Sequence, residues 1–272
     1  MSFVITTFYH FFKIDNLEEA KESLLSFCRA SKLLGTILIA TEGINSTISG
    51  SRENIDSFYL FLQNLFHIEF TFKESHSNIP PFEKMKVKIK PEIVTMGVGN
   101  IQVTEYNGTY ISPKDWDDFI SRPDVILVDT RNNYEIAMGS FHNSINPNTD
   151  NFRQFPKWAK NNLDPKSNVK IAMCCTGGIR CEKSTAYLKQ EGFKEVYHLE
   201  GGILKYLEET RNENKKWYGE CFVFDERTGV NDYLTPTEIN YCKSCANEIR
   251  TDDVKRIKGK KSHICFDCYT KK

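Results

Sequence analysis

The chain has 272 residues, 40% of them hydrophobic, with 36 basic and 36 acidic side chains and nine cysteines. That length suits two domains and a small appendage, and the balanced charge excludes a uniformly basic or acidic protein. An odd, clustered set of cysteines argues against a secreted disulfide framework, and no stretch reaches the roughly 18 apolar residues of a membrane span.

The N-terminal run MSFVITTFYHFFKID lacks a basic segment followed by an apolar one, so no signal peptide is expected. A reducing cytoplasm is the expected compartment, with the cysteines as thiols, thiolates or metal ligands. The neutrality hides an asymmetry. Residues 1–100 carry 10 basic and 11 acidic side chains, whereas residues 241–272 carry 9 and 4. A basic tail suits an anionic partner or a solvated surface.

In chain order, residues 2–12 alternate as a strand. Asn16 and Glu19 resemble a capping box, and Leu17, Ala20, Leu24, Phe27 and Cys28 follow at helical spacing up to a stop at Gly35. Thr36–Ala40 reads as a strand, Glu42-Gly43-Ile44-Asn45 as a turn and Ser46–Ser49 as a returning strand. Ser51 caps a second helix with Ile55, Phe58, Leu62 and Leu65 on one face. Ile68–Phe72 and Met85–Val94 are strand-like. This β-α-β-β-α-β order is the ferredoxin-like (acylphosphatase-like) pattern, assigned to residues 1–97.

Residues 98–111, which overlap the glycine-bearing stretch Gly97–Tyr110, read as a linker. Ser112-Pro113 opens a helix with proline at its first position. Strands at Val125–Val128, Val169–Met173 and Glu195–Leu199 then alternate with helices at Asn151–Asn161, Arg180–Glu191 and Gly202 to about Thr210. Residues 112–215 are therefore a parallel α/β domain, whose site belongs at the C-terminal ends of its strands. Residues 216–272 are a polar, cysteine-rich module.

The loop Cys174-Cys175-Thr176-Gly177-Gly178-Ile179-Arg180 sits between a strand and a helix. Backbone N–H groups and the helix N-terminus there favour a thiolate, and the thiolate is the nucleophile. Gly177 and Gly178 let the backbone curl, and Arg180 adds a cation. Counted from Cys174 the loop is Cys-x5-Arg, a cysteine-phosphatase signature that would hold phosphate. Counted from Cys175 it has the six residues that rhodaneses use for a persulfide sulfur. Spacing alone leaves both open. Cys181, opening the next helix, could resolve a persulfide or be a small helix residue. Asp129 and Arg131, at a neighbouring strand end, have a structural or supporting role.

Cys242-x2-Cys245 and Cys265-x2-Cys268, 19 residues apart, offer four soft ligands at zinc-ribbon spacing. A structural zinc ion is expected; a redox thiol cluster or an iron–sulfur centre are the alternatives, with His263 an outside substitute ligand. Lys84, Lys86, Lys88 and Lys90 alternate along one strand, placing four cations on one face and Met85, Val87 and Ile89 on the other. These lysines, with Lys255, Arg256, Lys258, Lys260 and Lys261, are candidates for RNA phosphate contact.

The run Cys175–Lys183 (CTGGIRCEK) resembles rhodanese-domain proteins of the tRNA uridine hydroxylase family. So do Val128-Asp129-Thr130-Arg131-Asn132 with Tyr134-Glu135, Gly139–Asn146 and Val196–Ile203. Thr41-Glu42-Gly43-Ile44-Asn45 and Gly219–Arg227 (GECFVFDER) lie outside the rhodanese domain and resemble this family specifically. The resemblance implies oxygen-dependent hydroxylation of the tRNA wobble uridine to 5-hydroxyuridine, with molecular oxygen as co-substrate and a reductant it does not identify. It implies Cys175 as the active, persulfide-forming cysteine, with Thr176, Gly177, Gly178, Ile179 and Arg180 forming its loop. Where the family often has an aromatic residue before that cysteine, this chain has Cys174, a second thiol that could resolve a persulfide or be a passive small residue. Expected partners are tRNA and a sulfur-donor protein, with no membrane; the oligomeric state is left open. No iron-binding facial triad and no flavin or nicotinamide fingerprint is recognisable. Hydroxylation therefore follows from the resemblance, and a plain sulfurtransferase, a Cys174 phosphatase or an inert RNA-binding scaffold stand as rivals.

Overall fold

The computed structural model describes residues 3–78, 80–99, 101–167, 169–210, 215–224, 227–237, 241–242, 245, 247–249 and 264–270. The chain divides into two compact units, Met1–Thr95 and Met96–Lys272.

The first unit runs β1 (Phe3–Phe11), α1 (Leu17–Ala30), β2 (Leu34–Ala40), β3 (Gly43–Gly50), α2 (Arg52–Phe66), β4 (Lys73–Ser77) and β5 (Met85–Ile89). Its sheet has the order β4-β1-β3-β2-β5, antiparallel except that β5 runs parallel to β2. This is the expected ferredoxin-like sheet with one added edge strand. Both helices start at side-chain caps: Asn16 Oδ1 accepts from the Glu19 N–H at 3.2 Å and Ser51 Oγ from the Asn54 N–H at 3.3 Å. The helices bury Leu24, Cys28, Ile55, Phe58 and Leu62 against Phe8, Ile37, Ile39, Ile44 and Ile48 of the sheet.

Three local expectations differ. Helix α1 ends at Ala30, where Ser31 caps it, and Gly35 belongs to β2. Its φ of +133° brings the backbone so close to β3 that a Cβ would lie 2.3 Å from the Thr47 carbonyl oxygen. The β2–β3 turn is Thr41-Glu42, and Gly43–Asn45 already belong to β3. The strand expected at Ile68–Phe72 lies instead at Lys73–Ser77. Phe70 and Phe72 close on Phe8 at 5.7 and 5.2 Å, and Phe72 stacks on Tyr59 at 3.6 Å. These rings extend the core, leaving the polar residues that follow to pair with β1 as an edge strand.

Strand β5 stops at Ile89. Beyond it, the buried Ile93 is clamped by two residues of the Thr41–Asn45 motif. Its N–H donates to Glu42 Oε1 at 2.7 Å, and its carbonyl accepts from Asn45 Nδ2 at 3.0 Å. Lys84, Lys86, Lys88 and Lys90 are all exposed, while Val87 is buried and Met85 and Ile89 pack on the core. The lysines thus face away from the helices, as their alternation implies.

The second unit runs β6 (Thr109–Ile111), α3 (Pro113–Ile120), β7 (Val125–Asp129), α4 (Asn133–Ile136), β8 (Gly139–Phe141), a 3-10 turn (Phe152–Gln154), α5 (Phe155–Asn162), β9 (Lys170–Cys174), α6 (Ile179–Gln190), β10 (Val196–Leu199) and α7 (Gly202–Glu209). The sheet β6-β10-β9-β7 is parallel throughout, as the alternating pattern predicts. Two stretches are more integrated than their composition suggests. Within residues 98–111, β6 pairs with β10, and the Gly108 N–H donates to Thr185 Oγ1 at 3.2 Å. After α7, β11 (Trp217–Gly219) pairs with β8, and β12 (Cys221–Phe222) pairs with β13 (Gly229–Val230). Trp217, Cys221, Val223 and Val230 complete the core around Trp116, Phe141 and Tyr206. A short helix, α8 (Phe266–Thr270), ends the described chain. Among the described residues no helix is long and apolar enough to cross a membrane.

Candidate active site

The loop after β9 is shaped by where its backbone polar groups point. The carbonyls of Cys175 and Thr176 accept from the Ile203 and Leu204 N–H groups in the first turn of α7, at 2.9 and 3.1 Å. Those N–H groups have no partner within their own helix, so one helix start and the loop satisfy each other. On the opposite side the Gly178 N–H donates to Cys175 Sγ at 3.1 Å, and α6 begins directly after at Ile179. The approach of α7 depends on Gly202. A Cβ there would lie 2.6 Å from the Cys175 carbonyl oxygen and 2.7 Å from the Gly178 nitrogen, at a φ of +72°.

The two adjacent cysteines face opposite environments. Cys174, the last residue of β9, lies in the core of the unit, with its Sγ 4.0 Å from the Val128 carbonyl. Burial pushes its thiol well above the ordinary value. Cys175 is equally buried. Burial pushes its thiol up as well, but the Cys181 thiol, the Arg180 charge and the N–H groups of Cys181 and Gly178 outweigh it. The result is a thiol lowered to about 6. Cys181 is pushed up by burial and by that hydrogen bond to Cys175, so the pair is a thiolate acceptor and a thiol donor. Thr130 bridges behind them: its N–H and Oγ1 reach the Cys174 carbonyl at 2.9 and 3.0 Å, and Oγ1 lies 3.7 Å from Cys181 Sγ.

Arg180 does reach the loop, but not as a free cation. Its Nη1 and Nη2 donate to the two carboxylate oxygens of Glu135 at 2.6 and 2.7 Å. Glu135, fully buried, also accepts from the Asn132 N–H at 3.0 Å and from Thr176 Oγ1 at 3.3 Å. Glu135 and Thr130 are therefore part of the site, although the sequence placed them only in a motif of the resemblance and gave them no role. The signal for Glu135 was its place three residues after Asn132 at a helix start, where a carboxylate satisfies the backbone.

Asp129 and Arg131 form a second fully buried pair. Arg131 Nη2 donates to Asp129 Oδ2 at 2.7 Å and to the Gly139 carbonyl at 2.6 Å, and Ser140 Oγ donates to Asp129 Oδ2 at 2.7 Å. This pair ties the β7 end to β8; its partners are structural, and the loop meets it through Thr130.

The four tail cysteines converge: the sulfurs of Cys242, Cys245, Cys265 and Cys268 lie within 4.8 Å of one another, and Cys245 and Cys265 are 3.6 Å apart. The edges of a tetrahedron with 2.3 Å zinc–sulfur bonds are about 3.8 Å, so the donor set fits a zinc ion. The Cys242 N–H donates to the Asn247 carbonyl at 2.8 Å. Lys255, Arg256, Lys258, Lys260, Lys261 and His263 lie outside the described residues.

The acidity of Cys175 has a measurable consequence. Thiolate absorbance in the ultraviolet, taken as the difference between wild type and Cys175→Ser, should rise with a midpoint near pH 6. Because the folded value lies below that of a free thiol, ionisation favours the fold. That contribution is complete above about pH 9 and is lost as pH falls through about 6. Gly202→Ala should push α7 off the loop, move the midpoint upward and lower the unfolding free energy by about 1–3 kcal/mol; an unchanged midpoint would show that α7 does not hold the loop.

Residues 3–93 match the family described as UPF0176 acylphosphatase like domain, and residues 112–209 match the rhodanese-like domain. A tRNA uridine(34) hydroxylase of Wolbachia pipientis wMel is 50% identical over 98% of this chain and 97% of its own. The protein of that name from Wolbachia sp. subsp. Brugia malayi is 51% identical over 98% and 99%. Among solved structures, a rhodanese-related protein from Thermoplasma volcanium is 28% identical, covers 38% of this chain and 95% of its own, and has a TM-score of 0.31. By its near-full-length likeness to the Wolbachia proteins, this chain belongs to the tRNA uridine(34) hydroxylase family.

Proposed function

We propose that the chain hydroxylates the uridine at tRNA position 34, giving 5-hydroxyuridine, with Cys175 as the reactive sulfur. The observation that carries this is half identity across both units to proteins of that activity. The site geometry supports it. A buried thiol lowered to about 6 is a nucleophile held ready at neutral pH, and a purely structural cysteine has no need of it. Inserting one oxygen atom from O₂ at a C–H bond, with the other leaving as water, takes two electrons from a reductant. Molecular oxygen is the co-substrate in this reading, and a sulfur-donor protein loads Cys175 as a persulfide. In this reading Thr176, Gly177, Gly178 and Ile179 shape the cradle, Arg180 fixes it through Glu135, and the reaction takes place in the cytoplasm.

The geometry disfavours the phosphatase alternative. Cys174 points into the core, and the cation that would bind phosphate is already paired with Glu135. Plain sulfur transfer remains the second reading, because the same acidic thiol in a six-residue loop serves it equally. Nucleoside mass spectrometry of tRNA from a deletion strain separates the two. Loss of 5-hydroxyuridine-derived nucleosides, restored by wild type and by Cys174→Ala but not by Cys175→Ala, is expected. Intact modification in the deletion strain would sink the proposal.

Two further assignments accompany this reading. The Cys242, Cys245, Cys265 and Cys268 cluster holds structural zinc, which ties the chain end together. Metal analysis of purified protein should give stoichiometric zinc, lost in Cys242→Ser/Cys265→Ser; full metal content in that variant would place the ion elsewhere.

The exposed lysines of β5 contact the tRNA backbone. Lys86→Glu/Lys88→Glu should weaken tRNA binding and reduce its salt dependence by about one to two units of log–log slope, leaving the Cys175 titration unchanged. An unaltered slope would remove the strip from the interface.

A further inference from the structure

Phe224 is the most exposed phenylalanine at the reactive loop, with 63% of its surface open to solvent. The guanidinium of Arg180 lies 5.8 Å from its ring centroid. The ring is not loose. It meets Phe222 edge-on at 5.1 Å, and Phe222, itself buried, meets Tyr134 edge-on at 5.3 Å. Tyr134 neighbours Glu135, the carboxylate that fixes Arg180. A chain of three rings therefore holds one aromatic face out to solvent beside the loop. Phe224 adds little to the core, because its exposed area is not removed from water on folding.

The chemistry next to this ring selects its ligand class. Arg180 and Glu135 cancel each other's charge, so the arginine of the loop is not left free for a phosphate. Cys175 Sγ is fully buried, and a sulfur added to it would extend only about 2 Å further. A flat, uncharged group free of stacked neighbours suits that approach better than an anion. A pyrimidine base turned out of an anticodon loop fits this description, and aromatic side chains are the usual platform for such bases.

We infer that Phe224 is the stacking platform for the target uracil, holding the turned-out base against the Arg180 edge of the loop while the reaction occurs. This rests on the tRNA reading above and adds to it a substrate-contacting residue from the segment after α7. Stacking on a single ring accounts for the exposure of Phe224, for its rigid mounting and for its place beside Arg180.

Two measurements on the full-length protein test this. In hydroxylation of purified tRNA, Phe224→Ala should lower kcat/KM about five- to 150-fold, the range of a lost base–aromatic stack, mainly through KM. Phe224→Trp and Phe224→Tyr should stay near wild type. Phe224→Leu should resemble Phe224→Ala, because it keeps apolar bulk but not a ring. All four should keep the wild-type unfolding midpoint and Cys175 titration. Wild-type activity in Phe224→Ala, or full activity in Phe224→Leu, would overturn the inference.

The second measurement uses Phe224→Trp fluorescence against the wild-type background. Quenching by an anticodon stem-loop with uridine at 34, and markedly less by one abasic at 34, is expected. Equal quenching by both, or none, would overturn it. Were wild type to form no 5-hydroxyuridine while this base-dependent quenching held, the hydroxylase reading would fail and the stacking platform would stand.

Discussion

A buried carboxylate, Glu135, holds the reactive cradle in shape. It accepts both forks of Arg180, the Thr176 hydroxyl and the Asn132 N–H, and so joins the segment after β7 to the loop after β9. Removing one partner of a buried pair leaves a bare charge and typically costs about 3–5 kcal/mol. The pairing also fixes how the site can use charge. Arg180 still helps hold the Cys175 thiolate, but burial opposes ionisation more strongly than any one group favours it. The thiolate therefore depends on several aligned donors acting together: the Cys181 thiol, the Cys181 and Gly178 N–H groups and Arg180. That arrangement demands a rigid loop, and rigidity comes from α7, whose first N–H groups take up the loop carbonyls.

Much of this was legible in the amino-acid order because the governing signals are local. Caps at Asn16, Ser51 and Ser112, helical spacing, and the alternation of Lys84 to Lys90 each depend on a few neighbours. So does the strand–glycine–helix grammar around Cys175, and the paired CxxC spacing, whose four sulfurs do converge. What failed locally failed where tertiary packing chose between two segments. Ile68–Phe72 has the better strand composition, yet its rings are drawn onto Phe8 and Tyr59, and the polar Lys73–Ser77 takes the sheet edge. Gly35 looks like a helix stop, but its freedom is used for close approach to β3.

The site residues that escaped sequence reasoning share a different cause. Glu135 lies 45 residues before Arg180 and Phe224 lies 44 after it, so no spacing rule connects them. The same holds for Gly202, whose missing side chain matters only because Cys175 and Gly178 pass within contact distance. A resemblance can mark such positions as belonging together. Only the folded arrangement says that one orders a cation, another leaves room for a carbonyl and the third presents a ring.

The adjacent cysteines show how one strand end can resolve an ambiguity that counting could not. Side chains alternate along a strand, so consecutive residues at the end of β9 must face opposite ways. Cys174 takes the inward direction, sits among Phe141, Leu199 and Ile203 in the core, and has its thiol raised by burial. Cys175 takes the other direction, into the ring of donors. The Cys-x5-Arg spacing is therefore present in the sequence but absent from the chemistry, because its cysteine faces the core and its arginine is already neutralised. What remains at the loop is a polarised sulfur beside a paired arginine and an aromatic ring, a setting that favours a planar uncharged substrate over an anion.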